Sequence, residues 1–285
     1  MSKIKIITDS TCDLPVSYFR DYDLGVVPIN IQFGNETFQE GITIDQTTFY
    51  KKVDELGIIP QTSQPSVGQF VEAYRAAARA GFDTILSLHV TGKLSGTMNS
   101  ATVAAEEVAS EIRVIPFDSM AGSGGLGYLC VDAAEMARAG KGVDEILARL
   151  NAARPCIGIF LALATLRYAQ MSGRISGLQG FIASLLNVKP IITLHDGLLA
   201  PSGRVRSRQA GPFFDPRSSH LSLSGYRVNH RTDHARSKVH RERDRNIVHK
   251  RIDAIQRILA ARQQLLRIVA RLAVNRREFH RATTR

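Results

Sequence analysis

The 285-residue chain lacks tryptophan and has only three cysteines, all far apart in the sequence. Because Cys12, Cys130 and Cys156 form no Cys-x-x-Cys pair, the sequence argues against a zinc site and a disulfide framework and favours a reducing compartment. The longest apolar run, about residues 156–166, is well short of the ~20 residues that cross a bilayer, and no apolar signal region opens the sequence. We therefore expect a cytoplasmic protein without a membrane span, a metal site or a cofactor.

A nucleotide-binding phosphate loop of the Gly-x-x-x-x-Gly-Lys-Ser/Thr type is also missing. One glycine-rich segment, residues 122–127, follows a predicted strand and is a weak candidate for a phosphate cradle. Close packing of the helix that follows explains these glycines equally well.

Positive charge is concentrated at one end of the chain. The net charge is +11, but residues 1–209 contain 19 Lys and Arg against 20 Asp and Glu, whereas residues 210–285 contain 18 against 6. Because the first 209 residues are nearly neutral, the location of the charge argues against nucleic-acid binding as the main function.

The basic end of the chain has two parts. Residues 211–250 are polar, rich in Arg, His and Ser, and without sustained periodicity, which predicts a disordered or poorly packed segment. In residues 251–279, Ile, Leu and Val recur near helical spacing between arginines, which predicts a basic amphipathic helix. Such a helix offers a surface for nucleic acid, anionic lipid or a protein partner, or it packs on the body. A foreign sequence with accidental periodicity is the remaining interpretation.

Strands and helices alternate through the first half of the chain. This pattern is typical of βαβ units and predicts an α/β protein with a largely parallel sheet. The predicted strands cover residues 3–8, 25–33, 82–90 and 112–117, and the predicted helices cover residues 15–21, 45–56, 66–81, 98–111, 122–139 and 143–153. A mixed α/β second domain follows, with predicted strands at residues 156–164, 189–194 and 203–208, a turn at Asp196-Gly197 and a short helix at residues 180–186. Among the helix ends, Asp45 is the predicted N-cap and Gly57 the predicted stop of the helix at residues 45–56, and Ser66 with Gln69 has capping-box spacing.

Polar clusters follow three of the predicted parallel strands. They are Asp9-Ser10-Thr11, Ser95-Gly96-Thr97 and Asp118-Ser119. Since ligands bind outside the carboxyl ends of parallel strands, we expect the clusters to share one edge of the sheet. A helix begins after Ser95, and the unpaired N–H groups and partial positive charge of its first turn favour a small anion.

The same clusters leave other interpretations open. Asp9 and Asp118 suit acid–base chemistry or Mg²⁺ binding in a small-molecule kinase or hydrolase, or they cap the turns that follow them. Ser95 as a nucleophile needs a base, and before residue 209 the only histidines are His89 and His195. His89 lies within a predicted strand, where a histidine is more typical of a hydrogen-bonded core.

Several short motifs occur in a specific order along the chain. They are Ile7-Thr8-Asp9-Ser10-Thr11-Cys12-Asp13-Leu14, Val27-Pro28, Thr62-Ser63-Gln64-Pro65-Ser66, Leu94-Ser95-Gly96-Thr97 with Ser100-Ala101, Asp118-Ser119, Gly173-Arg174-Ile175 and Lys189-Pro190-Ile191-Ile192. As an ordered set they resemble the DegV family of bacterial fatty-acid-binding proteins, which includes the lipid-carrying subunit of fatty acid kinase. The resemblance covers about residues 3–209.

The resemblance implies a non-enzymatic, two-domain α/β protein that holds one long-chain fatty acid between its domains. It implies that Thr62, Ser95 and the N–H groups of Gly96 and Thr97 hold the carboxylate. Arg174 would lie near the ligand or on the surface that faces a partner. That partner would be an ATP-dependent kinase, to which this chain presents the lipid.

The chain departs from the family pattern near Gln209-Ala210. Beyond that point the expected helices, strands and late glycine-rich segment with a histidine are not recognisable. We therefore expect an N-terminal domain at residues 1–153, the start of a lipid-covering domain at residues 154–209, and an atypical tail at residues 210–285 that is truncated or frameshifted relative to the family.

Overall fold

The structure is a computed structural model that describes residues 3–162, 170–175, 178, 189–205, 220–223 and 226–229. All of them belong to the larger of two compact units of the chain, Met1–His230. Their strands and helices are β1 (Ile4–Asp9), α1 (Val16–Asp21), β2 (Leu24–Val27), β3 (Asn30–Phe33), β4 (Glu36–Gln39), α2 (Gln46–Leu56), β5 (Gln61–Ser63), α3 (Val67–Arg79), β6 (Thr84–His89), α4 (Thr97–Glu107), β7 (Arg113–Asp118), α5 (Ser123–Arg138), α6 (Val143–Ala153), β8 (Ile157–Ala162), β9 (Lys189–His195), β10 (Leu198–Val205), β11 (His220–Leu223) and β12 (Tyr226–Asn229).

The predicted parallel sheet is confirmed. Its strand order is β2-β1-β6-β7, and every neighbouring pair is parallel. Alternate side chains point to opposite faces of a strand, so Ile7 and Ile85 pack under α3 and α4, whereas Ile6 and Leu86 pack under α5 and α6. The sheet is therefore covered by helices on both faces, and its carboxyl end is left for ligands.

A second sheet contains five antiparallel strands in the order β10-β9-β8-β12-β11. The turn Asp196-Gly197 joins β9 to β10, and both residues have positive φ angles of 48° and 75°. The predicted hairpin partner at residues 203–208 is wrong in its bounds: the strand begins at Leu198 and ends at Val205, because the two-residue turn leads directly into it.

A third, smaller sheet of antiparallel strands has the order β4-β3-β5. Together with α2 it encloses its own core, which includes Ile31, Phe33 and Ile44. The prediction of one strand across residues 25–33 was wrong, because Pro28 separates β2 from β3. Proline cannot donate a hydrogen bond to a strand ladder, so the chain leaves one sheet there and enters another.

Helix ends follow the sequence signals closely. The side chain of Asp45 caps α2, and Gly57 ends it in the left-handed conformation, as predicted. Ser66 and Gln69 form the predicted capping box of α3. The helix after Ser95 begins at Thr97, with Gly96 as its N-cap.

Residues 211–250 were predicted to be irregular, and the structure corrects this for a short stretch. The hairpin of β11 and β12 lies there, and β12 pairs with β8. The predicted helices at residues 180–186 and 251–279 lie outside the described residues. Within the described ranges, no helix is both long and apolar enough to cross a membrane.

Candidate functional site

The carboxyl ends of β1, β6 and β7 bring three polar side chains into one row. Asp9 ends β1, His89 ends β6 and Asp118 ends β7. His89 and Asp118 are partners in the register between β6 and β7, and β1 is the neighbour of β6 on the other side. The expected meeting of strand ends is therefore found at this edge.

The two aspartates hold the backbone of the loop between β6 and α4, residues 90–96, which we call the β6–α4 loop. The N–H of Val90 donates to Oδ2 of Asp9 at 3.1 Å, and the N–H of Gly92 donates to Oδ2 of Asp118 at 3.1 Å. Asp118 also accepts from the N–H of Met120 at 2.8 Å. Both carboxyl groups therefore cap loops, and neither one is a free acid–base group.

The second sheet touches the same loop through its Asp196-Gly197 turn. The hydroxyl of Thr91 donates to the carbonyl of Gly197 at 3.2 Å, and Nζ of Lys93 donates to the carbonyl of Asp196 at 2.8 Å. A Cβ at Gly197 would overlap Oγ1 of Thr91. Only glycine permits this approach, so the turn fixes the β6–α4 loop against the second sheet.

Ser95, Gly96 and Thr97 form the end of the β6–α4 loop and the first turn of α4. Oγ of Ser95 lies 2.8 Å from Oγ1 of Thr97 and accepts from the N–H of Thr97 at 3.3 Å. No side chain caps the helix at Gly96. Two hydroxyls and the positive end of the helix dipole thus meet at one point, an arrangement that suits a carboxylate or another small anion.

The segment after β5 reaches this helix terminus. A Cβ built on Gly96 would lie 2.9 Å from Nε2 of Gln64, so the Gln64 side chain covers the N-cap. The amide of Asn30 donates to the carbonyl of Gln64 at 3.3 Å and joins the small sheet to the same segment. Thr62 lies two residues earlier, on exposed strand β5. The two predicted hydroxyl segments are therefore neighbours in space.

Asp9 is wholly buried and also contacts a second chain of polar groups. Its Oδ2 lies 3.1 Å from Nδ1 of His89, and Nε2 of His89 lies 2.6 Å from Oγ of Ser87. Burial raises the pKa of Asp9, but hydrogen bonds from His89, Thr11 and Val90 outweigh burial, so the pKa lies below its ordinary value. The prediction that His89 is a hydrogen-bonded core residue is confirmed.

Ser87, His89 and Asp9 have the connectivity of a Ser-His-Asp catalytic triad. All three side chains are completely buried, and the hydroxyl of Tyr74 lies 2.8 Å from Oγ of Ser87. A substrate therefore cannot reach Ser87. Ser95, the nucleophile considered from the sequence, bonds to Thr97, and no described histidine contacts it.

The remaining predicted residues make local contacts. Ser10 donates to Glu40 at 2.6 Å and accepts from the N–H of Ile29, which places it at the joint with the small sheet. Ser119 is buried and bonds to the backbone of Ala121. Arg174 is in an exposed turn, where its guanidinium donates to the carbonyl of Ser172 at 2.8 Å.

The glycine-rich segment at residues 122–127 packs closely against neighbouring residues at two of its glycines. Its glycines at positions 122, 124 and 127 have Gly-x-Gly-x-x-Gly spacing. A Cβ at Gly125 would lie 2.9 Å from Ile157, and one at Gly127 would lie 2.7 Å from the carbonyl of Cys12. Neighbouring residues therefore fill the space at Gly125 and Gly127, which supports close packing there, and a phosphate cradle at residues 122–127 stays a prediction.

The sequence does not mark three residues near this edge: Thr91, Ser87 and Tyr74. Gln64 belongs to a motif quoted above, but its contact with Gly96, like that of Thr91 with Gly197, depends on a distant element. Ser87 lies two residues before His89, and that same-face spacing was a usable signal. In the part of the chain that the structure describes, no three His, Cys, Asp or Glu side chains form a group suited to a metal ion.

Known proteins are similar to this chain in sequence and in fold over about 73% of its length. A sequence profile described as "Uncharacterised protein, DegV family" matches residues 3–212. A DegV domain-containing protein of Listeria monocytogenes is 37% identical over 210 residues, covering 73% of this chain and 74% of that protein.

Two solved structures are similar over the same part. One, on fatty acid binding of a DegV family protein from Thermus thermophilus, has a TM-score of 0.66 at 36% identity and covers 73% of both chains. The other, DegV of Bacillus subtilis, is described as a fatty acid binding protein and has a TM-score of 0.68 at 31% identity, covering 73% of this chain and 74% of that one.

Proposed function

Because the chain belongs to the DegV family, we propose that it binds one long-chain fatty acid and holds its carboxylate at the first turn of α4. The observation that carries this proposal is the meeting of the Ser95 and Thr97 hydroxyls at the N-terminus of α4, where the N-cap residue is the glycine Gly96. The similar Thermus and Bacillus proteins, described as binding fatty acids, support the choice of ligand.

The physical chemistry of a carboxylate fits this terminus. A buried carboxylate is costly unless it is hydrogen-bonded, and hydroxyl and N–H donors supply charge-assisted bonds that offset the cost. We assign these donors to Ser95 and Thr62 and to the N–H groups of Gly96 and Thr97. The N–H of Thr97 would exchange its bond to Oγ of Ser95 for one to the carboxylate. The Asp196-Gly197 turn brings the second sheet to the same loop, and we propose that the acyl chain lies between the two sheets.

The acyl chain would supply most of the affinity. Each buried CH₂ group contributes about 0.8 kcal/mol, so ~15 groups give an upper bound of about 12 kcal/mol before ordering costs. The hydroxyls at α4 would then determine the orientation of the lipid, with its carboxylate at the first turn of the helix.

We also propose that this chain presents the bound lipid to a separate ATP-dependent kinase. The two strand-end aspartates both cap loops, and Ser95 bonds to Thr97, so none of them is set up as an acid, base or nucleophile. A chain of this kind positions a carboxylate for a reaction that a partner carries out. Arg174, in its exposed turn, is assigned to the surface that faces this partner.

Calorimetric titration of the full-length chain with oleate tests the carboxylate site. We expect Ser95→Ala and Thr62→Ala each to weaken binding about tenfold, which is the loss of one charge-assisted hydrogen bond. Ser63→Ala is the matched control, because its exposed side chain points to the face of β5 opposite Thr62. If both site variants bind oleate as tightly as Ser63→Ala does, the assignment of the carboxylate to α4 is wrong.

A further inference from the structure

A polar seam crosses the otherwise apolar layer between the parallel sheet and helices α3 and α4. Ser87 and His89 follow Ile85 on one face of β6, and Asp9 follows Ile7 on the same face of β1. All three polar side chains are completely buried. Burying polar groups costs free energy, and apolar residues at these positions would avoid that cost. Packing alone therefore does not explain why these three residues are polar.

The seam is a continuous chain of hydrogen bonds. The Asp9 carboxylate can only accept, so Nδ1 of His89 donates to it across 3.1 Å. Nε2 of His89 then lies 2.6 Å from Oγ of Ser87, and Oγ of Ser87 lies 2.8 Å from the hydroxyl of Tyr74. The ring of Phe70 stands edge-on against the His89 ring, with centroids 4.9 Å apart, and restricts its rotation.

The two ends of this chain reach the two elements that bracket the proposed carboxylate site. At one end, Oδ2 of Asp9 accepts from the N–H of Val90, the first residue of the β6–α4 loop. At the other end, the single proton of the Tyr74 hydroxyl is shared between Oγ of Ser87 at 2.8 Å and the carbonyl of Ala101 in α4 at 3.3 Å. Ser95, Gly96 and Thr97 lie between Val90 and Ala101 in the sequence. One hydrogen-bonded chain therefore ties the start of the loop to the body of the helix.

We propose that Asp9, His89, Ser87 and Tyr74 are positioning residues that set the spacing between the β6–α4 loop and α4. This inference rests on the proposed function, since the spacing matters for a carboxylate held between the Ser95 hydroxyl and the first turn of the helix. The four residues do not touch the lipid. They act through their contacts with Val90 and Ala101. When one of these hydrogen bonds is lost, the β6–α4 loop is no longer held at a fixed distance from α4.

Tyr74→Phe and Ser87→Ala in the full-length chain test this inference. Each removes one hydroxyl from the chain, Ser87→Ala within it and Tyr74→Phe at its α4 end, and leaves Asp9 untouched. The control is Ile85→Val, which removes one methylene from the same buried face of β6 without touching the chain. For every variant, the affinity for [1-¹³C]oleate, the ¹³C shift of its bound carboxyl carbon and the free energy of unfolding are measured.

We expect the two hydroxyl variants to bind oleate about tenfold more weakly than Ile85→Val at a comparable loss of stability. We also expect the bound carboxyl ¹³C signal to shift in Tyr74→Phe and Ser87→Ala and to stay unchanged in Ile85→Val. A loss of stability alone would not move that signal.

The outcomes separate this inference from the proposed function. If the unmodified chain binds oleate, and both hydroxyl variants match Ile85→Val in affinity and in carboxyl shift, the positioning role is overturned and the proposed function stands. If the unmodified chain binds no oleate, both are overturned together.

Discussion

At the residue scale, Asp9 shows how a carboxyl group at the end of a strand can accept hydrogen bonds from the backbone of neighbouring loops. It accepts from the N–H groups of Thr11 and Val90, both within 3.1 Å, and from the ring of His89. A carboxylate with this many donors is ionised in the folded protein, and its negative charge holds three segments together. The charge therefore contributes to stability only while the group stays deprotonated.

This gives a pH prediction with a definite sign. The folded pKa of Asp9 is lower than its ordinary value of 3.8, so its contribution is fully present above about pH 4 and is lost as the pH falls through the folded pKa. We expect Asp9→Asn to lower the free energy of unfolding at pH 7 by about 3 kcal/mol, because it replaces a buried carboxylate that accepts hydrogen bonds from Thr11, His89 and Val90 with a neutral amide.

The measurement is urea unfolding of the wild type and Asp9→Asn at pH 7 and at several values below 4. The difference in stability between the two proteins should shrink as the pH falls. Asp54→Asn, at an exposed position on α2, is the control and should stay close to the wild type throughout. A difference that stays constant down to pH 2 would contradict the role of the Asp9 charge.

At the element scale, helix caps depend on residues close in the sequence, whereas some glycines depend on contacts with distant elements. The capping box of Ser66 and Gln69 is a local signal: the N–H of Gln69 donates to Oγ of Ser66 at 3.2 Å, and the N–H of Ser66 donates to Gln69 at 2.9 Å. We expect Ser66→Ala to lower the free energy of unfolding by about 1 kcal/mol, measured by urea unfolding. Ser63→Ala, an exposed serine outside any helix, should change it little; equal effects of the two substitutions would count against the cap.

Gly127 of α5 tests the packing role of the glycine-rich segment. Its absent Cβ would press on the carbonyl of Cys12, so we expect Gly127→Ala to destabilise the protein by about 2 kcal/mol despite the higher helix propensity of alanine. Gly68 in α3 has only Oγ of Ser66 nearby, at 3.9 Å, and Gly68→Ala should stabilise the protein by about 0.5 kcal/mol. Thermal unfolding of both variants checks the opposite signs, and a stabilised Gly127→Ala protein would contradict the close approach.

The contrast between local signals and long-range contacts explains how much of the structure the sequence predicts. The parallel sheet, the caps at Asp45 and Ser66 and the Asp196-Gly197 turn follow from patterns within about ten residues, and the structure confirms them. The pairing of β3 with β5 and of β12 with β8 depends on partners that are distant in the sequence. In the candidate site, the hydroxyls at the start of α4 were predictable, whereas the contacts of Gln64 and Thr91 were not, because tertiary packing alone creates them.

At the scale of the whole molecule, the family match and the composition change at nearly the same place. The DegV profile ends at residue 212, and the excess of positive charge begins after residue 209. We propose that the chain leaves the reading frame of its family near Gln209-Ala210, with domains at residues 1–153 and 154–209 before that point.

Peptide mapping tests this change of frame. Mass spectrometry of the protein from its native source should yield peptides from residues 1–209 and none from residues 210–285. Resequencing of the gene should restore a family-like continuation. Peptides from the basic tail, together with an uninterrupted gene sequence, would contradict the frame change.

Lipid binding should also be visible in global stability. A ligand that binds only the folded state adds about 2.7 kcal/mol to the free energy of unfolding at a concentration 100 times its Kd. We expect oleate to raise the thermal unfolding temperature in a concentration-dependent way, and methyl oleate, which lacks the charged head, to raise it much less. Equal shifts with the two lipids would contradict a role for the carboxylate.

Native mass spectrometry of the full-length chain, purified without added lipid, tests the central claim most directly. The account predicts a population heavier than the bare chain by the mass of one long-chain fatty acid, which is depleted in Ser95→Ala and restored in the wild type by added oleate. A wild-type protein that carries no fatty acid and takes up none when oleate is added would contradict it.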